Sequence, residues 1–269
     1  MTRPNNYFKS LGGVRVHYDR FPDAPYGSPG KPYNFYADKQ FQKELDSFFY
    51  ELWEVCPYGQ AVVITSAGTY VSKPGYHGKG RAFDLDAIFW QDNDLIMINY
   101  PNQPFLYLGI ESVLRKHFGT VLTYNYNKSH RDHIHIDNGS PVLFYTSSKS
   151  RVLFVQSLMN HIFEVPVTID GIWGPETESS VDYVMHSLDL EGNIRDLNTW
   201  LTFLTLSSHR AFLKCVSNQQ TPFDLIQNLY TVINKELNDT QSRKTIECAL
   251  NNFVDHRETQ LWLDNFRQL

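Results

Sequence analysis

Two short stretches restrict this chain more than any other part of it: Tyr76-His77-Gly78-Lys79-Gly80-Arg81-Ala82-Phe83-Asp84-Leu85-Asp86 and His130-Arg131-Asp132-His133-Ile134-His135-Ile136-Asp137. Each passes from a glycine-rich or polar loop into alternating apolar and polar residues, the period of a β-strand whose successive side chains leave opposite faces. Asp84 and Asp86 therefore share one face of the first strand, and His133, His135 and Asp137 share one face of the second. Between them the stretches hold His77, His130, His133 and His135 out of 10 histidines in the chain. Such a density of imidazoles and carboxylates is the sequence sign of a metal site. His77 in the loop mouth and Asp84 at the start of the strand reach one ion if Gly78 and Gly80 fold the loop back on itself. His133 and His135 point the same way about 6 to 7 Å apart, so one can ligate while the other stays behind it or serves a reaction. His17, His117, His161, His186, His209 and His256 have no comparable neighbours in sequence.

The rest of the chain predicts an α+β fold, a small antiparallel sheet flanked by helices that holds the site, followed by an all-α domain. Residues 1–36 are rich in Pro, Gly, Asn and Tyr and read as an ordered wrapping arm. From about Ala37 to Val55, Phe41, Leu45, Phe48, Phe49, Leu52 and Val55 recur at helical spacing, and Pro57 and Gly59 close that helix. Ala61-Val62-Val63-Ile64-Thr65 reads as a buried strand leading into a loop at 66–75. Leu95-Ile96-Met97-Ile98 and Val121-Leu122-Thr123-Tyr124 read as further strands, with a helix from about Phe105 to Phe118 between them and Gly119 as its C′ residue. The first domain is expected over 1–147 and the second over 148–269, where helices are expected near 150–159, after Pro175, and at about 194–215, 222–237 and 241–265.

A length of 269 residues suits two modest domains better than one core. A net charge of -5 gives no sign of a nucleic-acid surface, and no apolar run is long enough to span a membrane. The start of the chain lacks the apolar core of a secretory signal, so the expected site of synthesis is the cytoplasm. Cys56, Cys215 and Cys248 are too scattered for a disulfide framework or a cysteine zinc site, and each is expected as a buried free thiol. Aromatic residues make up 14% of the chain and crowd its first half, as in a groove that binds sugars or peptides, or in a well-packed aromatic core.

His77-x-x-Gly80-x-Ala82-x-Asp84 followed by His133-x-His135 resembles the paired signature of the LAS group of zinc peptidases, which includes lysostaphin-type enzymes, D-Ala-D-Ala metallopeptidases and the hedgehog zinc domain. The spacing His130-x-x-His133-x-His135 is most similar to the penicillin-insensitive murein endopeptidase and extensin-like C-terminal branch. The resemblance covers about residues 35–145. It implies zinc (Zn2+) held by His77, Asp84 and His135, with His133 as the active-site histidine. His130 stands where some members place a carboxylate base, so the expected base is His133, with Asp132 behind it. Gly75 replaces the family's serine two residues before the first His, and the loop arginine is missing at Thr69 to Tyr70, leaving Lys73 and Arg81 as nearby substitutes. With Tyr70 and Tyr76 they form the substrate-binding candidates. Asp86 is expected either to orient a ligand histidine or to be a solvated strand residue.

Residues 150–188 resemble a three-helix peptidoglycan-binding module through Asp170-Gly171-Ile172-Trp173-Gly174-Pro175-Glu176-Thr177; the competing expectation is that this turn merely fixes the helix packing, with Gly171 and Gly174 supplying unusual backbone angles and Trp173 filling the core. Together the resemblances imply a zinc-dependent hydrolase of peptide or amide bonds in bacterial peptidoglycan, an endopeptidase before a D,D-carboxypeptidase. They imply delivery to the cell wall or periplasm by a phage lysis pathway or a secretion system. The competing expectations are a zinc-stabilised wall-binding or adaptor protein without catalysis, and a peptidase of a proteinaceous substrate.

Overall fold

The computed structural model describes residues 2–216, so the helices expected near 222–237 and 241–265 lie outside the described residues. In chain order the elements are β1 (Tyr7–Phe8), β2 (Ser10–Leu11), β3 (Val14–Tyr18), β4 (Lys31–Pro32), β5 (Phe35–Tyr36), α1 (Lys39–Val55), β6 (Val63–Gly68), β7 (Ala82–Phe89), β8 (Asp94–Ile96), α2 (Pro104–His117), β9 (Thr120–Leu122), β10 (Ile134–Asp137), α3 (Lys149–Leu158), α4 (Pro175–Ser187) and α5 (Leu197–Val216). The expected α+β class holds, with a two-stranded antiparallel ribbon, β1–β5, beside a larger mixed sheet. That sheet runs β2-β3-β6-β7-β10-β9, with β4 on β3 and β8 on β7.

The sheet is larger than the alternation at residues 83–89 and 133–137 suggests because residues 1–36 do more than wrap. β3 pairs parallel with β6 (Arg15 opposite Val63, Val16 opposite Ile64) and buries Val14 and Val16. A parallel neighbour needs a crossover, and α1 supplies it. Its apolar stripe, Phe41, Leu45, Phe48, Phe49 and Leu52, is fully buried against the sheet, and the Asp38 carboxylate caps its first turn by accepting from the amides of Gln40 and Phe41.

Two local expectations change. Gly119 is not a left-handed C′ residue; α2 ends at Phe118 in extended backbone, and Gly119 is needed because a Cβ there would collide with the Ser140 carbonyl. Met97 to Asn99 form a 3-10 turn and not the end of a strand, since only Asp94–Ile96 pairs with β7.

The expected division at residue 147 is not a division of the core. One buried apolar cluster runs from Phe8 through α1, α2 and α3 to Phe212. α5 lies along α2 so closely that a Cβ on Gly109 would sit 2.5 Å from the Phe212 ring. Phe144, in the connection before α3, packs on both Trp173 and Trp200, at 5.1 Å between ring centres in each case. A buried ion pair fastens the same junction: Arg115 of α2 donates to Glu111 (2.8 and 3.0 Å), to the Val121 carbonyl of β9 (3.1 Å), and to Ser150 of α3 through its carbonyl (3.0 Å) and hydroxyl (2.9 Å).

The turn between α3 and α4 is clamped by buried Gln156. Its oxygen accepts from the amides of Asp170 (3.1 Å) and Gly171 (2.8 Å), while its nitrogen donates to Asp170 (2.9 Å) and Thr177 (3.0 Å). Gly171 takes the expected left-handed backbone at φ 76°, but Gly174 is extended and Trp173 is only half-buried. Of the cysteines, Cys56 is buried and Cys215 partly so, both as free thiols, and Cys248 lies outside the described residues. No helix among the described residues is long and apolar enough to cross a membrane.

Candidate metal centre

Strand register builds the site. β7 and β10 pair antiparallel with His135 directly opposite Asp84, which brings their side chains together on one face of the sheet. On the other side of β7, the pairing with β6 shifts register between Ser66 and Gly68, so that Gly68 lies opposite Asp84 and the chain leaves the sheet there. Bulges next to functional sites re-aim the chain in this way. The Thr69 carbonyl that follows accepts from His77 Nδ1 at 2.6 Å. His77 begins a 3-10 turn that ends at Gly80, whose φ of 65° a side chain would resist and whose Cβ would press on Pro4 and the Ala37 backbone. Gly80 alone, without Gly78, takes the left-handed backbone that folds the loop back.

His77, Asp84 and His135 thus converge, with one ligand-type atom from each lying within 4.8 Å of the others, and this group could hold a metal ion. His77 Nε2 lies 3.2 Å from His135 Nδ1 and 3.2 Å from Asp84 Oδ2; His135 Nδ1 lies 2.9 Å from Asp84 Oδ1. Each imidazole is oriented from behind. The Thr69 carbonyl takes the outer N–H of His77, and Asp137 Oδ2 sits 3.2 Å from His135 Nε2. Metal-binding histidines are held in this manner, which leaves the inner nitrogen free to bind a cation. The electrostatics agree. Burial works to raise the Asp84 carboxyl, yet hydrogen bonds from His135 and His77 hold it well below the usual carboxylate range. Burial alone would depress His135, but Asp137 and Asp84 push it up to about 9, so a proton there occupies a place that favours positive charge.

The predicted neighbours fall around this centre unevenly. His133 Nε2 is 3.7 Å from Asp84 Oδ1, and its Nδ1 donates to Asp132 Oδ1 at 2.9 Å. His130 closes one side, its ring 5.2 Å from that of His133 and 6.0 Å from that of His135. Asn127 Oδ1 accepts from both the Ser129 amide and His130 Nδ1, which leaves His130 Nε2 as a lone-pair acceptor. Burial and the adjacent rings of His133 and His135 push His130 down to about 4.

Asp86 departs from both readings the sequence offers. It is fully buried and bonds to no ligand histidine; it takes two hydrogen bonds from Arg20, at 2.9 and 3.0 Å. Burial and a hydrogen bond with Asp19 push it up to about 9. Asp19 Oδ1 is buried and has no hydrogen-bond donor among the described residues. Arg20 is the site residue that sequence reasoning misses, since nothing near it in the chain marks it.

The substrate-binding candidates are less well placed. Lys73 is exposed on the loop. Arg81, directly before β7, donates to Asn138 Oδ1 at 2.9 Å, while Asn138 in turn donates to Glu44 of α1 at 2.6 Å. Tyr76 packs over Gly139, where any Cβ would strike its ring. Tyr70 is half-buried, directly after the carbonyl that holds His77.

Residues 57–142 match the family model described as extensin-like protein C-terminus, which belongs to the LAS metallopeptidase-like group. No curated protein and no solved structure matches the chain.

Proposed function

We propose that the chain is a zinc-dependent hydrolase of peptide or amide bonds in bacterial peptidoglycan, acting as an endopeptidase on cell-wall cross-links. The observation that carries the reading is the convergence of His77 Nε2, His135 Nδ1 and the Asp84 carboxylate with His133 Nε2 alongside, 3.7 Å from Asp84. The match of residues 57–142 supports it from the side of sequence.

Two imidazoles and a carboxylate are a donor set zinc takes, with bonds of about 2.0 to 2.2 Å that separate tetrahedral neighbours by about 3.3 Å. The donor separations of 3.2, 3.2 and 2.9 Å fit that set without rearrangement of the strands. When bound, the ion supplies Lewis-acid polarisation of the scissile carbonyl and acidifies an attacking water.

The remaining work belongs to the chain. His133 Nε2 takes the water's proton, because its other nitrogen is pinned to a carboxylate that stabilises the imidazolium so formed, and the same nitrogen then returns the proton to the leaving amine. His130 also offers a lone pair, but a ring held at about 4 binds a proton too weakly to serve as base at neutral pH. Asp132 is committed to His133 and Arg20, which assigns it to orientation and not to proton transfer. Endopeptidase action is favoured over carboxypeptidase action by the cations at hand: Lys73 is exposed on the loop and Arg81 is bound on the α1 side, so neither is held where a substrate's terminal carboxylate would meet the metal.

The test is incubation of purified protein with peptidoglycan sacculi, with released muropeptides read by mass spectrometry. Release that stops with a chelator and returns with zinc is the expected result. The absence of metal-dependent release from every sacculus type overturns the reading. His133→Gln separates catalysis from a structural metal site: metal is retained and hydrolysis lost in an enzyme, whereas a purely structural site shows no hydrolysis to lose.

A further inference from the structure

We propose that Arg20 is a positioning residue for His133, acting through Asp132, and this rests on the hydrolase reading above. Its guanidinium bridges two acidic side chains that the sequence places far apart. Nε and NH2 form a two-pronged contact with Asp86 (3.0 and 2.9 Å), and NH1 reaches Asp132 Oδ2 at 3.1 Å. The other oxygen of Asp132 accepts from His133 Nδ1 at 2.9 Å. His133 Nε2 then faces the metal cluster, 3.7 Å from Asp84 Oδ1. An unbroken line of charge-assisted hydrogen bonds therefore runs from a fully buried strand residue to the imidazole beside the metal ligands.

The chain of contacts matters because its middle member is the loosest. The Asp132 side chain is 39% exposed and sits in a turn outside β10, so on its own it would rotate into water. Asp86, with no exposure at all, is an anchor that cannot follow it. Arg20 transmits that rigidity, and a planar fork with several fixed donors suits the task where a single ammonium would not. The plane is held in turn by the Tyr26 ring, 4.6 Å from the guanidinium carbon, while the Tyr26 hydroxyl accepts from the Ile98 amide at 3.1 Å. With Asp132 fixed, His133 keeps its proton on Nδ1 and its lone pair on Nε2. Orientation and tautomer are what a carboxylate behind a histidine provides, and loss of such partners typically costs about 10- to 100-fold in activity.

The experiment uses the full chain, zinc-loaded, as wild type, Arg20→Lys, Arg20→Met and the double variant Arg20→Met/Asp86→Asn. The double variant removes the buried acid together with its partner, so that a failure of Arg20→Met to fold does not end the test. Three quantities are read: zinc per chain, the imidazole 15N and Nδ1–H signals of His133 (identified by their absence in His133→Gln), and turnover on sacculi at saturating and limiting concentration. The expected result is zinc content as in wild type, loss of the His133 Nδ1–H signal with mixed tautomers, and a maximal rate lower by about 10- to 100-fold with little change in half-saturation. Arg20→Lys should lose the signal as well, because a single ammonium cannot span Asp86 and Asp132. A folded, zinc-loaded Arg20→Met or double variant with the wild-type His133 signal overturns the proposal. If wild type leaves sacculi untouched the hydrolase reading fails by itself, and the imidazole signals still decide whether Arg20 sets His133.

Discussion

Replacement of Arg115 by methionine tests the idea that the sheet and the C-terminal helices are one folded body. Arg115 and Glu111 are each about 2% exposed, and the guanidinium is the charge partner of Glu111 as well as a donor to Val121 on β9 and Ser150 on α3. Methionine keeps the unbranched apolar stem of the side chain but leaves the Glu111 carboxylate in a dry interior. Breaking a buried pair from one side costs about 3 to 5 kcal/mol, because a charge remains without its partner. For a folded region of this size, 1 kcal/mol moves Tm by about 2 to 4 °C, so the loss is about 10 °C. The deficit should also grow with pH. Burial holds the Glu111 carboxyl above its ordinary value even beside Arg115. A group that binds its proton more tightly folded than unfolded stabilises the fold at low pH and loses that contribution as pH rises. Differential scanning calorimetry at pH 5 and pH 8 reads both effects, and a single transition is expected in wild type and variant alike. Glu111→Gln/Arg115→Met, which removes both charges, should recover most of the loss. A drop below about 3 °C, a double variant no better than the single, or two separate transitions would refute the reasoning.

Three further outcomes follow from other residues. His209 is buried, its Nε2 has no partner among the described residues, and burial pushes it down to about 4, so the unfolded chain binds its proton first as pH falls. Stability should be full above the unfolded value of about 6.5 and fall by about 3 kcal/mol on the way to pH 4, and urea midpoints for His209→Leu should show a flatter decline. Asp137→Asn should weaken zinc binding by about 10- to 100-fold in a chelator competition, with the fold intact, because the carboxylate behind His135 is replaced by a weaker acceptor. Gly109→Ala, which puts a methyl 2.5 Å from the Phe212 ring, should cost about 1 to 3 kcal/mol in denaturant unfolding by forcing α5 off α2.

What the sequence discloses here is what has a period or a tight local spacing. The alternation His133-Ile134-His135-Ile136-Asp137 is visible because β10 buries Ile134 and Ile136 on the core and turns the polar set the other way. The stripe of α1 is visible for the same reason at a different period. Arg20 has no such signature. Its partners lie 66 and 112 residues away, and its neighbours Pro22, Pro25 and Gly27 describe a turn and not a site. Asp86 is misread for a related reason: alternation tells which face a strand residue takes, but here its side chain is itself covered, by Asp19 and Arg20 of the loop after β3. Gly119 has the right place for a helix terminator, yet what it accommodates is the Ser140 carbonyl from 21 positions further on, and only the folded chain brings the two together.

The single core has a consequence for how this candidate metal site can travel between proteins. The stretch from β6 to β10 carries His77, Asp84, His133 and His135, so it looks like a cassette that recombination could move whole. It is not self-sufficient in this chain. Its sheet is covered by α1 and extended by β3 from the N-terminal side, its α2 is covered by α5 from the other, and the residue that steadies Asp132 stands two positions beyond the end of β3. A graft of the stretch from β6 to β10 alone would inherit the candidate ligands but expose Phe83, Leu85 and Ile110, so new hosts would have to supply both a helix and a strand before the site could form.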